Sequence, residues 1–336
     1  MIYGGRIKQV RELSGLTQAK LASQIGCKQS AIAHFENGIT VPSSETLNAI
    51  AKVTGFLASF FELPPLDDFS SGSLSYRSRR SVTKQELAQT YQYGSVMFEQ
   101  VKTMSYRLSL PLLRLPRISE TPELSARVTR AALGLSPGTP IANSINSFEQ
   151  NGGFVFVTPF MLNKIDAFSC WAQFDRERPM IVVSTCITGD RLRFSVGHEI
   201  GHLVMHNSPR GQLIDLERQA DMFASEFLMP AGVMRTEITS PVTLTSLMGL
   251  KQKWGVSIQA LIRRAYDLSL ITERQYHYLF EQLSLKGWRK REPIDVPIES
   301  PSAYSKMLNI LYSNENDYAL DMHLTPTKAK ELIVYN

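Results

Sequence analysis

Several things are scarce in this chain, and each scarcity excludes something. Its 336 residues include three cysteines, Cys27, Cys170 and Cys186. That count is too low and too widely spaced for a disulfide framework or a Cys-rich zinc module, and it suits a reducing cytoplasm. Long apolar runs are missing. The most apolar stretch near the N-terminus, Phe56 to Phe61, is far short of the roughly 20 residues that cross a bilayer. The opening MIYGGRIKQV has no apolar core of a secretory signal. A soluble cytoplasmic protein with no membrane partner is expected. Charge is also sparse, 20% of residues against about 25% in an average soluble protein. With 43% hydrophobic residues, a disordered polymer is excluded and a sizeable core is available. The 17 Pro and 20 Gly follow no period, which removes collagen-like and low-complexity readings.

What is present is organised in blocks. The length predicts two domains or three at about 100–200 residues each. Lys and Arg total 36 against 31 Asp and Glu, a net charge of +5, which permits a polyanionic partner without requiring one. Residues 1–66 read as short helices with tight joints. Pro64-Pro65 breaks them, and the polar stretch from Asp67 to Ser81 reads as a linker. Thr83 is placed to cap a helix from Lys84 towards Leu110, with Glu86 completing a capping box. Residues 67–118 thus form a linker and connecting helix. Residues 119–150 look helical with an interruption at GLSPGTP. Three short β-rich runs follow, Gly153 to Val157, Ile165 to Trp171 and Met180 to Val183. Helical pattern resumes at Arg191. A body over 119–268 and a mixed, weakly patterned extension over 269–336 complete the chain. The expected class is multidomain and mainly α, an all-α head joined to an α+β body with a small sheet.

In the head, Ile7, Val10 and Leu13 follow helical spacing and Gly15 ends that helix. Thr17 caps a second helix from Gln18. After Ile25-Gly26-Cys27 a third helix runs from about Lys28 to Glu36, with Ile32 and Phe35 inward and Gln29, Ser30, Ala33 and His34 outward. Two helices joined by a short turn containing Gly form a helix-turn-helix, whose second helix enters the major groove. The segment GLTQAKLASQIGCKQSAIAHFENGITVPS resembles the Xre/Cro-type repressor helix-turn-helix over about residues 5–62. That resemblance implies a double-stranded DNA operator as partner and a homodimer reading two half-sites. It implies phosphate contacts from Gln18 and Asn37, and base contacts from Gln29, Ser30 and His34. Gln suits bidentate pairing with adenine. Lys28 stands where Ser, Thr or Asn usually caps the third helix. It cannot cap through an oxygen, but it can contact a phosphate or a guanine. The run Arg77, Arg79, Arg80 and Lys84 is a second basic cluster. Such runs are usually solvated faces, and the other reading is a grip on backbone phosphates.

The strongest chemical signal is His198-Glu199-Ile200-Gly201-His202. On a helix, residues i and i+4 share a face with Cβ atoms about 5–6 Å apart. Two imidazoles there can converge on one Zn²⁺, with Glu199 beside them as the base acting on a water. His206 continues the stripe, but at 1.5 Å per residue it lies about 12 Å along the axis from His198, so one ion cannot take both. It is expected behind the ligands or at the helix end. The third ligand is sought on the next helix, Ile214 to Leu228, among Asp215, Glu217, Asp221 and Glu226. Ala220, Phe223 and Ala224 set that helix's buried stripe. Glu217 lies at its edge and is the expected ligand. Asp221 is placed to orient a ligating His, and Glu226 is expected on the solvent side.

The blocks DRLRFSVGHEIGHLVMH (190–206) and LERQADMFASEFLMP (216–230) resemble the ImmA/IrrE-type metallopeptidases, loosely over about residues 120–265. In that family the first block supplies both His ligands and the catalytic Glu. The second supplies a Glu ligand in a Glu-x-x-Ala-(Asn/Asp) setting, met here by Glu217, Ala220 and Asp221. LKGWRKREP further on resembles chains in which this domain follows an Xre-type head. The resemblance implies a zincin-like body, Zn²⁺ as cofactor and cleavage of a regulatory, repressor-like protein. The other reading is a repressor or antitoxin-like regulator whose zinc-site body senses a ligand or a protein partner. Cys170 and Cys186 read as buried small apolar residues. His277 and His323 have no ligand partner at a suitable spacing, and Trp254, Tyr266 and Tyr276 to Tyr278 read as packing.

Overall fold

Short helices with strong punctuation build the head: α1 (Gly4–Leu13), α2 (Gln18–Ile25), α3 (Gln29–Glu36), α4 (Ser44–Thr54) and a 3-10 turn, Ala58–Glu62. The computed structural model describes residues 1–65, 69, 82–118, 120–161, 165–173, 177–185, 187–206 and 213–333. Thr17 accepts the Lys20 amide at 3.2 Å and starts α2. Gly26, at φ 72°, ends it in the left-handed conformation that glycine adopts without strain. Lys28 heads α3 with no side-chain cap. Ile7, Val10, Leu21, Ile32 and Ile50 are fully buried.

Helix α5 (Lys84–Ser105) begins where Thr83 accepts the Glu86 amide at 3.1 Å. It ends five residues short of Leu110 and runs along α1. The Arg6 guanidinium, 1% exposed, donates to Glu99 at 2.7 Å and also to Gln9 and the carbonyls of Leu63 and Pro64. The expected linker from Asp67 to Ser81 and the cluster Arg77, Arg79 and Arg80 lie outside the described residues, apart from Phe69, and so does Cys186.

The body opens with α6 (Pro122–Ala132) and α7 (Ser144–Gln150). Then come β1 (Phe154–Val157), β2 (Ala167–Gln173) and β3 (Glu177–Val183), in the spatial order β1-β3-β2. β1 and β3 are parallel, with Phe154 opposite Met180; β2 and β3 are antiparallel, with Cys170 opposite Met180. Side chains alternate across this sheet. Phe154, Phe156, Phe168, Cys170, Met180 and Val182 join one core with the head and α5. Val155, Ala167, Ile181 and Val183 join a second core beneath the next two helices, α8 (Gly189–Met205) and α9 (Leu213–Leu228). The sheet is the partition between the two cores.

After α9 the chain continues through α10 (Ala231–Glu237), α11 (Leu244–Trp254), α12 (Ile258–Asp267) and α13 (Glu273–Leu285). The tail, weakly patterned in sequence, forms α14 (Ala303–Leu311), α15 (Glu315–Asp321) and α16 (Pro326–Ile333). These return to the head: Leu57 N donates to the His323 carbonyl at 2.8 Å, and Thr325 N to Gly55 O at 2.9 Å. Helices of seven to nine residues bury two or three side chains each, too few to display a period. Sixteen α-helices and three strands among the described residues make the chain mainly α, with an all-α head and an α+β body. None of the described helices is long and apolar enough to cross a membrane.

Candidate metal centre and DNA-binding face

Helices α8 and α9 pack closely because α8 presents glycine where they meet. A Cβ on Gly201 would lie 3.0 Å from the Phe223 ring, and one on Gly197 would lie 3.5 Å from the Ala224 Cβ. This approach carries Glu217 of α9 over the His stripe of α8. His198 Nε2 and His202 Nε2 face each other at 3.0 Å. Glu217 Oε1 is 3.1 Å from His202 Nε2, and its Oε2 is 3.7 Å from His198 Nε2. One donor atom from each residue lies within 4.8 Å of the others. Around a tetrahedral Zn²⁺ with bonds of about 2.0–2.1 Å, neighbouring donors sit about 3.4 Å apart. Two imidazole nitrogens and a carboxylate at these separations fit one such ion.

The far sides of both rings are engaged. His198 Nδ1 meets Asp221 Oδ1 at 2.8 Å. An ionised carboxylate only accepts, so His198 carries its proton on Nδ1 and turns the Nε2 lone pair inward. His202 Nδ1 meets His206 Nδ1 at 2.8 Å, and His206 Nε2 meets Gln219 Oε1 at 3.0 Å. Burial, reinforced by the neighbouring His202, lowers the His206 imidazole to about 4. It is therefore neutral at pH 7. Its one proton goes on Nε2 towards the Gln219 oxygen, its Nδ1 accepts from His202, and the His202 Nε2 lone pair also points inward. Asp221 of α9 and His206 at the end of α8, itself set by Gln219 of α9, thus orient each Nε2 to offer its lone pair to a cation beside Glu217.

Glu199 is fully buried. Ser169 of β2 donates its hydroxyl to Glu199 Oε2 at 2.7 Å. On the same strand Trp171 Nε1 donates to the Leu203 carbonyl at 3.0 Å, fixing β2 against α8. Cys170 faces the other core, where burial and then the Glu199 charge push its thiol up to about 12. It is a buried thiol.

A cleft of about 1280 Å³ has Glu217 and Asp221 on its lining, with Phe194, Met222, Trp288 and Ile298 as apolar wall. One wall is the crossing segment 288–299. Two carboxylates pin it. Glu292 pairs with buried Lys251 at 2.8 Å and accepts the Ile258 amide at 2.9 Å. Glu299 accepts the Ser144 amide at 2.9 Å and pairs with Arg193. Gly189 is required beneath the segment, because a Cβ there would lie 2.3 Å from the Val296 carbonyl oxygen.

In the head, Lys28, Gln29, Ser30, His34 and Asn37 are all exposed along α3 and its ends. Gln18 is half-buried and donates to Glu36 Oε2 at 2.8 Å. Arg11 also grips Glu36, at 2.5 and 3.1 Å, so one buried carboxylate ties α1, α2 and α3 together.

Among the other candidates for third ligand, Asp215 is exposed. Glu226, expected on the solvent side, is instead 2% exposed and paired with Arg264 of α12. Its partner lies 38 residues away, beyond the reach of helical periodicity. Ser169 and Gln219 escaped sequence reasoning. A Ser among Ala167, Phe168, Cys170 and Trp171 was the available signal for the first. Nothing distinguished Gln219 from a surface residue.

Residues 7–58 match the family described as helix-turn-helix, and residues 148–266 match the IrrE N-terminal-like domain of a peptidase family. No curated protein matches the chain. Peptidases of that second family are typically metal-dependent, and the His198, His202 and Glu217 cluster lies on the matched span. The chain therefore joins a DNA-binding helix-turn-helix domain of the Xre type to an IrrE-like domain of a metallopeptidase family.

Proposed function

We propose that this chain is a cytoplasmic, homodimeric transcriptional regulator whose body is a zinc peptidase acting on a regulatory, repressor-like protein. Residues 1–66 bind the operator, 67–118 connect, 119–268 form the peptidase and 269–336 extend it. The observation that carries this reading is the meeting of two inward Nε2 lone pairs with the Glu217 carboxylate, each ring fixed from behind.

His198, His202 and Glu217 would hold the ion, a set of three protein ligands such as catalytic zinc sites use. Zn²⁺, when bound, supplies Lewis acidity towards a water and the scissile carbonyl. Asp221 and His206 orient the two ligating rings, and Gln219 fixes the His206 tautomer. Ser169 holds Oε2 of Glu199 and so aims the carboxylate. Glu199 takes a proton from the attacking water as its oxygen adds to the carbonyl carbon. It returns that proton to the departing amine as the C–N bond breaks. The substrate polypeptide lies in the cleft lined by Glu217, Asp221, Phe194 and Met222.

In the head, α3 enters the major groove. Gln29, Ser30 and His34 reach base edges, while Gln18, Lys28 and Asn37 touch the backbone. The dimer reads two half-sites about 34–36 Å apart.

One observation favours a second reading, a body that senses a ligand or partner without turnover: Glu199 is fully buried and His198 and His202 are 6% and 4% exposed. Glu199→Gln separates the two. The peptidase reading expects the zinc-loaded wild type to cleave a candidate repressor. It expects the variant to keep its zinc and lose cleavage by 10²-fold or more. If the wild type and the variant leave every candidate equally intact, the body is a sensor.

A further inference from the structure

The cavity beside the helix-turn-helix, about 380 Å³, is walled on one side by Lys84, Gln85 and Ala88, which lie outside the domain's own sequence. Its lining includes Thr17 and Gln18 at the start of α2, Gln29 at the start of α3, and Lys84 and Gln85 at the start of α5. We propose that Lys84 is a DNA-backbone contact, so that the connecting helix extends the operator-binding face beyond the helix-turn-helix. This rests on the DNA-binding reading of the head.

Three observations carry it. First, the starts of α2 and α3 are the ends that a helix-turn-helix turns towards the duplex, so a side chain sharing their cavity lies beside the phosphates. Second, the cavity lacks another available cation. Arg11 also lines it but is locked between both Glu36 oxygens and the Leu16 carbonyl. The one acidic lining residue, Glu12, is held by Arg11 at 3.4 Å and Gln92 at 2.8 Å. Lys84 is exposed and joins no ion pair among the described residues. Third, Lys84 does not swing on a tether. Gln85 donates to the Gly15 carbonyl, Gln89 to Leu13 O at 3.1 Å, and Gln92 to Glu12 at 2.8 Å. Further along, Glu99 takes Arg6 at 2.7 Å. These contacts bolt α5 along α1 and hold its first residue at the cavity mouth. The head has six Lys and Arg against four Glu, so one added cation is a large share of its charge.

The test uses the full chain and a fluorescent 30-base-pair duplex of arbitrary sequence, titrated at about 50 to 200 mM salt. A single phosphate contact adds about 0.9 to the slope of log affinity against log salt. Lys84→Gln should weaken binding at low salt and reduce the slope by about 0.9, so that the fourfold rise in salt costs it about 3.5-fold less than it costs the wild type. Lys286→Gln, a charge removed from the far end of α13, should leave the slope unchanged. Circular dichroism melts of the variants monitor folding. A Lys84→Gln protein with the wild-type melt, affinity and slope overturns the proposal while leaving operator binding by α3 intact. A wild type that does not bind the duplex at 50 mM salt overturns both.

Discussion

The two functional regions of this molecule solve opposite problems. On α3 the side chains proposed to read bases, Gln29, Ser30 and His34, stand in solvent, and the partners proposed for them would arrive with the duplex. On α8 the proposed ligands and base are buried, and each has its partner already in place: Asp221 for His198, His206 and Gln219 for His202, Ser169 for Glu199. A polar group removed from water must find its hydrogen bonds within the protein. A buried site is therefore over-determined by its surroundings, whereas an exposed one is specified by little more than side-chain identity. Substitutions behind the ligands should act through metal affinity, and substitutions on α3 should act on DNA alone.

The largest effect on stability is expected where the two regions are joined. Arg6→Ala removes a buried guanidinium that ties α1 to Glu99 and to the end of the head. Breaking such a pair costs about 3–5 kcal/mol, and a thermal melt should show it. Separate transitions for head and body in the wild type would contradict the continuous core of α1, α5 and the sheet.

Next comes Gln219→Ala. It touches no ligand, yet it frees the His206 tautomer and through it His202. Loss of such a partner should weaken zinc binding about 10- to 100-fold, read by competition with a chromophoric chelator. Unchanged affinity would mean that the relay through His206 does not orient His202. The mildest change is Gln29→Ala, which should cost about 1–3 kcal/mol on the preferred operator and relax base choice at one position. It should leave zinc content untouched. A uniform loss across all sequences would make Gln29 a backbone contact.

Much of this was readable before the fold was known, for reasons that differ by element. The i, i+4 imidazoles of α8, the Thr17 and Thr83 caps and the Gly26 turn are local, and local spacing reports them. Choosing Glu217 needed one further step, the edge of α9's buried stripe, and the structure brings that residue to the His pair. The failures are long-range. Glu226 is buried because Arg264, three helices on, meets it. Ser169 matters because β2 crosses over α8. The tail helices matter because His323 and Thr325 return to Leu57 and Gly55. No periodicity within a single element encodes those meetings.

Metal analysis of purified, zinc-loaded protein decides whether α8 and α9 close on an ion. The wild type and Glu199→Gln should each hold one equivalent of zinc per chain, and Glu217→Ala should hold it only weakly and lose it on dialysis. A wild type that stays metal-free, or a Glu217→Ala protein that keeps a full equivalent, would contradict the His198, His202 and Glu217 site.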